Sequence, residues 1–469
     1  MRTRWRQPLL TAIGMSIAVG LLALLDPQPG PLVLAAVLAM TISRNKLVAT
    51  WRGRAEAVVL LPFVGLATAG VGYLFLSVPV VGAIAYVVAM FLSIFLRKFG
   101  PVWTRVGSLI ALPFITLLIT PGAGSGTPPL EVALLSIGVL VIVVALRLLA
   151  EVTRFLPRAK PVAESARPQR PASATRPVAS TRMAIQMAIA LAAAFVIGAL
   201  VFPEHVTWVV LTAFIVCSGN RGRADVLYKS GLRIVGAAIG TVVASLSVVL
   251  LAPAHSILQG STHPFLQGPI LVVTLLVIIA LGLWLREWTY AAWAVVMTLV
   301  ISVLQTTAIH VGAGSTGNQL WIRILAIIVG AACGLAASWF VFPVRSEGVV
   351  RRRVADALAA LSEYASTPTP ATDSDLGVAL DKLDEVAAPW NALERVIGWR
   401  KTKRQTAIAT ARRPGQWMRL MHECAGLVRA KPQLSADARR ALGDARRSMR
   451  DPAAIGTNLL ALRDELQSE

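Results

Sequence analysis

The chain has 469 residues, of which 56% are apolar and only 15% are charged, and its mean hydropathy is +0.67. An average soluble domain carries roughly 25% charged residues, so this composition cannot cover a soluble globule with polar side chains. The same figures exclude a disordered chain, and three cysteines are too few for a disulfide scaffold. We therefore predict an all-α integral membrane protein.

The formal net charge is +21, and its position along the chain separates a nucleic-acid-binding protein from a membrane protein. Residues 1–345 carry +17 of this charge, whereas residues 346–469 carry +4. In the first part the basic residues stand in short segments between apolar runs, and they do not cluster on a polar domain. We therefore predict that the chain's environment is a lipid bilayer and that it does not bind nucleic acid.

The sequence contains twelve apolar runs, and ten of them reach or approach the roughly 20 residues that a membrane-spanning helix needs. In chain order the twelve runs lie at 9–25, 31–42, 56–76, 78–95, 104–120, 131–149, 183–201, 206–217, 231–251, 268–285, 290–310 and 320–342. They predict two halves of six transmembrane helices, at 1–156 and 183–345. The segment 157–182 between them has five prolines, and its composition predicts a flexible cytoplasmic linker.

The connections between the runs alternate in charge. Lys and Arg are absent from the connections at 26–30, 77, 121–130, 202–205, 252–267 and 311–319. Because positively charged loops stay on the cytoplasmic side, this asymmetry predicts that both termini are cytoplasmic. Leu96-Arg97-Lys98-Phe99 in the first half is similar to Leu285-Arg286-Glu287-Trp288 in the second. We expect the halves to be repeats related by an axis along the membrane normal, since six spans preserve orientation.

Residues 346–469 predict a cytoplasmic helical domain, because charges of both signs are mixed along amphipathic stretches. We expect Asp373 to cap its second helix, Ser435 to cap a later one and Asp451 to begin the last. The pattern assigns no function to this domain, and docking, dimerisation and regulation all stay open.

The sequence contains no catalytic or metal-binding signature, such as a phosphate-binding glycine loop, a zinc-spaced His and Cys set or a Ser/His/Asp grouping at one membrane face. We therefore predict that the chain is not an enzyme and that it uses neither a cofactor nor a metal. Candidate ion-pair or proton-linked residues on the predicted outer side are Asp26, Glu131, Glu204 and His310.

Two runs, 31–42 and 206–217, hold only twelve residues and are second in their halves. Twelve residues make about 18 Å of helix, against a hydrocarbon core of about 30 Å. Paired short segments bounded by Pro or Gly favour a midplane substrate site, although two ordinary tilted helices would give the same pattern. Trp208 and Thr212 share a helix face, and they suit an aromatic ring with a polar group unless Trp208 is an interfacial residue.

Arg323 stands three residues inside the last run, and we expect the other basic residues of 1–345 to lie at cytoplasmic helix ends or in cytoplasmic loops. An intramembrane charge is energetically unfavourable and usually functional. Three roles stay open for Arg323. It can pair with the carboxylate of a substrate, pair with Glu131, or snorkel to the outer surface.

Two motifs in the second half carry a resemblance to a known family. Val206-Thr-Trp-Val-Val-Leu-Thr212 followed by Arg233-Ile-Val-Gly236-Ala-Ala-Ile-Gly240 resembles the fusaric acid resistance / aromatic acid exporter family, which pairs a Trp-x-x-x-Thr helix with an Arg-x-x-Gly-x-x-x-Gly helix start. Arg323, Gly330 and the closing Phe342-Pro343 resemble the last span of that family. The two glycines of the second motif are a small-xxx-small pair, so we predict a structural role for them.

The resemblance covers 183–345, with a departure at Ala237, where the family commonly has Thr. It implies a bacterial inner-membrane permease that exports aromatic or other organic acid anions, coupled to protons, with a more distant similarity to plant malate-permeable anion channels. It further implies that Trp208, Thr212 and Arg233 are substrate-binding or gating residues, beside Arg323.

Other functions are compatible with the sequence. An organic-anion channel, a major-facilitator-type carrier, and a membrane scaffold or regulator acting through the cytoplasmic helical domain stay open as alternatives. The carrier alternative lacks the acidic-and-basic loop signature after the second span, since 43–54 contains no Asp or Glu. Homodimerisation also stays open.

Overall fold

The structure is a computed structural model, and it describes most of the chain with several gaps. The described residues are 6–25, 35, 38, 39, 42, 43, 51–119, 129–153, 178–218, 223–261, 277–282, 284–285, 290–308, 316–342, 346–398, 414–449 and 451–468. Within these ranges the regular elements are helices and there is no strand, which confirms the predicted all-α class.

The helices fall into three groups along the chain. In the first predicted half they are α1 (Arg6–Leu25), α2 (Trp51–Ser77), α3 (Pro79–Phe95), α4 (Pro101–Ile119) and α5 (Pro129–Val152). In the second half they are α6 (Ala179–Val201), α7 (Val206–Cys217), α8 (Arg223–Ser261), α9 (Tyr290–Ala308) and α10 (Thr316–Phe340). The remaining helices are α11 (Ser346–Ser366), α12 (Pro370–Gly398), α13 (Pro414–Ala430), α14 (Ala436–Ser448) and α15 (Pro452–Ser468). Short 3-10 turns follow α3 and precede α7, at Leu96–Phe99 and Pro203–His205.

Several helices have the length and apolarity of membrane spans. Five candidates occur among the described residues, at Arg54–Ser77, Pro79–Phe99, Ala179–Val201, Arg223–Ala244 and Trp321–Phe340. The chain is therefore a membrane protein by its helices as well as by its composition. The predicted twelve spans and two repeats stay predictions, since the runs at 31–42 and 268–285 lie largely outside the described residues.

Several helices extend beyond the apolar runs that predict them. α6 begins at Ala179, four residues before the run at 183, within the segment predicted as linker. α8 continues to Ser261, ten residues beyond the run that ends at 251, so the loop predicted at 252–267 is helical in its first part. An apolar run marks only the part of a helix that meets lipid. The backbone hydrogen bonds of the helix are internal, and they continue into polar sequence.

The contacts divide the chain into two compact units. The first consists of Met1–Ser218 and Lys229–Phe342, and the second of Gly219–Tyr228 and Pro343–Glu469. In the first unit both predicted halves contribute to one apolar cluster, which contains Tyr86 of α3, Leu191 of α6 and Trp208 of α7. The second half is thus packed on side chains from the first half.

Glycines in α8 allow it to contact α9 closely. A Cβ added at Gly236 would lie 2.6 Å from the Cβ of Ala294, and one added at Gly240 would lie 2.6 Å from the carbonyl oxygen of Val295. Real Cβ atoms do not approach other atoms so closely, so only glycine fits at these two positions. The structural role predicted for the small-xxx-small pair is confirmed.

Buried and half-buried ion pairs join three helices of the first half at one end. One Nη atom of Arg54 in α2 donates to both carboxylate oxygens of Glu151 in α5, at 3.0 and 3.2 Å, and Arg147 donates to the same carboxylate at 3.2 Å. Arg105 of α4 binds Glu56 of α2 through two hydrogen bonds of 2.6 and 2.8 Å. These carboxylates neutralise basic residues that the sequence places next to apolar runs.

A buried amide connects α6 to the end of α10. Nε2 of Gln186 donates to the carbonyl oxygens of Val341 at 2.6 Å and of Phe342 at 3.3 Å. Phe342 has a φ of 47°, the left-handed conformation that ends helices, and it is the one non-glycine residue with positive φ among those described. Gln186 thus satisfies backbone carbonyls that the end of the last membrane helix leaves open.

The second unit contains α11–α15, which enclose an apolar core that includes Leu358, Trp417 and Leu459. Ser435 caps α14 by accepting a hydrogen bond from the amide of Ala438 at 3.1 Å, as predicted. The predicted cap of α12 is wrong.

The cap of α12 is Thr369, because the helix begins at Pro370, three residues before Asp373. The hydroxyl of Thr369 accepts a hydrogen bond from the amide of Thr372 at 3.2 Å. Asp373 instead accepts a hydrogen bond from Arg429 of α13 at 2.8 Å. The Pro at the first helical position, which needs no amide partner, decides where this helix starts.

The close contact of α8 with α9 predicts the effect of a single methyl group. Gly236→Ala should lower the free energy of unfolding by about 1–3 kcal/mol, because overpacking forces the two helices apart. Gly231→Ala is the matched control in the same helix, since nothing lies within 4 Å of a Cβ at Gly231. Thermal unfolding of the purified proteins in detergent, followed by size-exclusion chromatography, gives the comparison. Equal midpoints for the two variants would contradict the packing role of Gly236.

Candidate functional site

The candidate site is built around α7, the twelve-residue helix at Val206–Cys217 that the short apolar run predicts. The helix begins after the 3-10 turn at Pro203–His205 and ends at Ser218, whose backbone is extended. It packs against α6 and α10 and touches α4. A helix that is apolar on all sides requires such a buried position. α7 is therefore a short helix held inside the first unit.

Trp208 and Thr212 are two buried side chains of α7 that can form hydrogen bonds. They lie one helical turn apart, as predicted, and are 2% and 0% exposed. Neither Nε1 of Trp208 nor Oγ1 of Thr212 has a hydrogen-bond partner among the described residues. A buried polar atom left without a partner costs about 1–3 kcal/mol, so each of these atoms needs a functional or solvent explanation.

Arg323 of α10 lies on the indole of Trp208. Its guanidinium carbon is 3.6 Å from the centre of the ring, and the residue is 7% exposed. At this distance the positive charge interacts with the electron-rich face of the indole, which is worth about 2 kcal/mol when both groups are desolvated. The structure thus brings together three predicted site residues, from helices more than 100 positions apart in the chain.

Arg233 of α8 contributes a second positive charge near this pair. Its side chain is 2% exposed, and its charge and that of Arg323 are close enough to repel each other. The prediction that Arg323 is set apart from the other basic residues of 1–345 is therefore wrong. Arg233 is buried ten residues beyond the start of α8, and Arg54 and Arg147 are enclosed with Glu151. The pattern of charges along the sequence does not show which basic residues contact a carboxylate of another helix.

Two glycines place α10 directly against α7. A Cβ added at Gly330 would lie 2.3 Å from the carbonyl oxygen of Val209, and one added at Gly334 would lie 2.8 Å from Cγ1 of Val216. The resemblance drew attention to Gly330 alone, but the spacing of four between the two glycines is a small-xxx-small signal present in the sequence. This close approach carries Arg323, two turns before Gly330, to the face of Trp208.

The predicted outer-side residues are only partly described. Glu204 is exposed and His205 is half-buried in the 3-10 turn between α6 and α7. Burial lowers the pKa of His205, the charge of Arg323 lowers it further, and Glu204 acts in the opposite direction. Asp26 and His310 lie outside the described residues, as does the side chain of Glu131, so its pairing with Arg323 stays a prediction.

The polar groups of the candidate site can all donate hydrogen bonds to a negatively charged group. The groups are two guanidinium ions, an indole N–H and a hydroxyl, and a carboxylate accepts hydrogen bonds from all of them. In the described part of the chain no three His, Cys, Asp or Glu side chains are placed to hold a metal ion. The site therefore has the composition of an anion-binding site.

Residues 187–337, which include all four of these site residues, match the sequence model of a family described as fusaric acid resistance protein-like. No curated protein matches the chain. Together with the apolar helices, the family match shows a membrane protein of the transporter type, from a family of transporters and not of enzymes. The match to the fusaric acid resistance protein-like family is thus carried by the segment that holds the site, about a third of the chain, as its Trp-x-x-x-Thr and Arg-x-x-Gly-x-x-x-Gly motifs predict.

Proposed function

We propose that this protein is a bacterial inner-membrane permease that exports organic acid anions, aromatic or other, with energy from a proton gradient. Twelve spans and cytoplasmic termini complete the proposal. The observation that carries it is the stacking of Arg323 on Trp208, 3.6 Å from the ring centre, beside the hydrogen-bonding groups of Trp208 and Thr212.

The stacked geometry suits Arg323 for binding a carboxylate. A guanidinium ion binds a carboxylate through N–H groups that lie in its plane, whereas it contacts an aromatic ring through its face. The indole therefore orients Arg323 without competing for the edge that faces an anion. This division of the guanidinium into a packed face and a donor edge supports a binding role.

The burial of Arg323 argues against the snorkelling alternative. A snorkelling side chain extends its charged end to the interface, whereas Arg323 is 7% exposed and folded onto α7. Trp208 and Thr212 are inaccessible from the surface, so a substrate reaches them only after surrounding helices move. Such movement is what alternating access requires of a permease.

Transport of 4-hydroxybenzoate by the purified protein in proteoliposomes tests the proposal. We expect flux above that of protein-free liposomes when a transmembrane pH gradient is present, and loss of accumulation after a protonophore collapses the gradient. Flux that does not depend on the gradient, accompanied by an electrical current, would identify an anion channel. No flux above the liposome control would refute the proposal.

Substitution of Arg323 should separate its charge from its geometry. Arg323→Gln should slow transport by about tenfold or more, since a charge-assisted hydrogen bond contributes about 1.5–3 kcal/mol. Arg323→Lys keeps the charge but loses the planar donor edge, so a smaller loss is expected. Arg352→Gln, at an exposed basic residue of α11, is the control. Wild-type flux in a well-expressed Arg323→Gln variant would remove Arg323 from the site.

Cysteine labelling tests the proposed topology. Cysteines introduced at Ser261 and Ser315 should react with an impermeant thiol reagent in intact cells, and a cysteine at Ser173 should react only after lysis. The three native cysteines are buried, which keeps the background low. Labelling of Ser173→Cys from outside would reverse the orientation.

A further inference from the structure

The indole of Trp208 has no ring face left for a substrate. One face carries the guanidinium of Arg323 at 3.6 Å. The whole residue is 2% exposed and belongs to a closely packed apolar cluster, so protein atoms cover the other face. The expectation that this indole stacks on an aromatic substrate conflicts with this packing, because stacking requires an open face.

A second buried ring in the same cluster is also enclosed. Tyr86 is 0% exposed, and its ring centre lies 6.1, 5.9 and 5.8 Å from those of Phe75, Phe114 and Phe195. These separations are typical of aromatic side chains that pack on one another. The described rings of this cluster are thus used in packing the helices together.

The groups of the site that point to a ligand are polar. Nε1 of Trp208 and Oγ1 of Thr212 are buried without a partner among the described residues, and the planar edge of Arg323 carries N–H donors. A carboxylate has two oxygens and about four acceptor positions. The N–H groups of an arginine edge donate to two of these positions. The indole N–H and the hydroxyl are two further donors, one for each of the remaining two positions.

We infer that this site recognises the carboxylate group of its substrate and does not recognise an aromatic ring, so that aliphatic and aromatic carboxylates of similar size bind alike. The inference rests on the proposed function and narrows its substrate class. It assigns Trp208 two tasks, namely orienting Arg323 with the ring face and donating a hydrogen bond to the anion with Nε1.

Binding to the purified full-length protein in detergent tests this inference without interference from leakage of weak acids through lipid. The probes are benzoate, cyclohexanecarboxylate, which has a similar size and charge but no aromatic ring, and benzamide, which keeps the ring but has no charge. Isothermal titration calorimetry at fixed ionic strength gives the three dissociation constants.

We expect the dissociation constants of the two carboxylates to agree within about threefold, and that of benzamide to be at least about tenfold larger because it lacks the charge-assisted bonds. Benzoate binding about tenfold or more tighter than cyclohexanecarboxylate would overturn the inference, as would benzamide binding as tightly as benzoate. Failure of both carboxylates to bind a protein that transports 4-hydroxybenzoate would also overturn it. The transport experiment decides the proposed function separately, so the two failures are distinguishable.

Variants of Trp208 separate its two tasks. Trp208→Phe keeps a ring under Arg323 and loses the N–H donor, so it should raise the dissociation constants of both carboxylates by the same factor. Trp208→Leu loses the ring as well, so it should raise both dissociation constants further and leave the ratio between them unchanged. Trp321→Phe is the matched control, because Trp321 lies in the same helix as Arg323 and is 69% exposed. A Trp208→Leu protein that folds, judged by its size-exclusion profile, and that selectively loses benzoate binding would show that the indole recognises the ring.

Discussion

A buried positive charge is the constraint on which the rest of the second half depends. Placing an arginine inside a membrane span costs about 2.5–3.5 kcal/mol at the centre of a helix, and somewhat less nearer the surface. Contact with the face of Trp208 offsets about 2 kcal/mol of this when both groups are desolvated. The contact forms only if α10 lies against α7, and the absence of side chains at Gly330 and Gly334 permits this approach. The glycines in one part of α10 thus allow Arg323, in another part of the same helix, to contact Trp208.

The surrounding helices limit how far this contact can change. α8, which carries Arg233, is held against α9 by the same type of glycine contact, and α10 is tied to α6 by the amide of Gln186. Protein interiors pack at crystalline density, so helices in such contact exchange between discrete arrangements instead of deforming gradually. In the proposed function, this packing holds the donors of Trp208, Thr212 and Arg323 in place, which reduces the entropy that binding must overcome.

Sequence patterns predicted the local features of this protein and missed contacts between distant segments. Composition identified a membrane protein, the twelve-residue run gave α7, and the spacing of four placed Trp208 and Thr212 on one face. The contact of Arg323 with Trp208 joins residues 115 positions apart, and no periodicity within a helix reports such a contact. The pairing of Arg54 with Glu151 was missed for the same reason. The glycine pair at 330 and 334 was visible in the sequence, but spacing alone does not show which helix it faces.

Two like charges in one buried region favour the binding of an anion at the proposed site. Arg233 and Arg323 repel each other, and the repulsion is stronger in an apolar interior than in water. An anion that reaches both groups removes this repulsion and adds hydrogen bonds, so it stabilises the packed arrangement of α7, α8 and α10 more than the separated one. A ligand shifts a conformational equilibrium only by its difference in affinity for the two states. In the proposed function, Arg233 and Arg323 supply such a difference, which connects recognition of a carboxylate to closure of the helices around it.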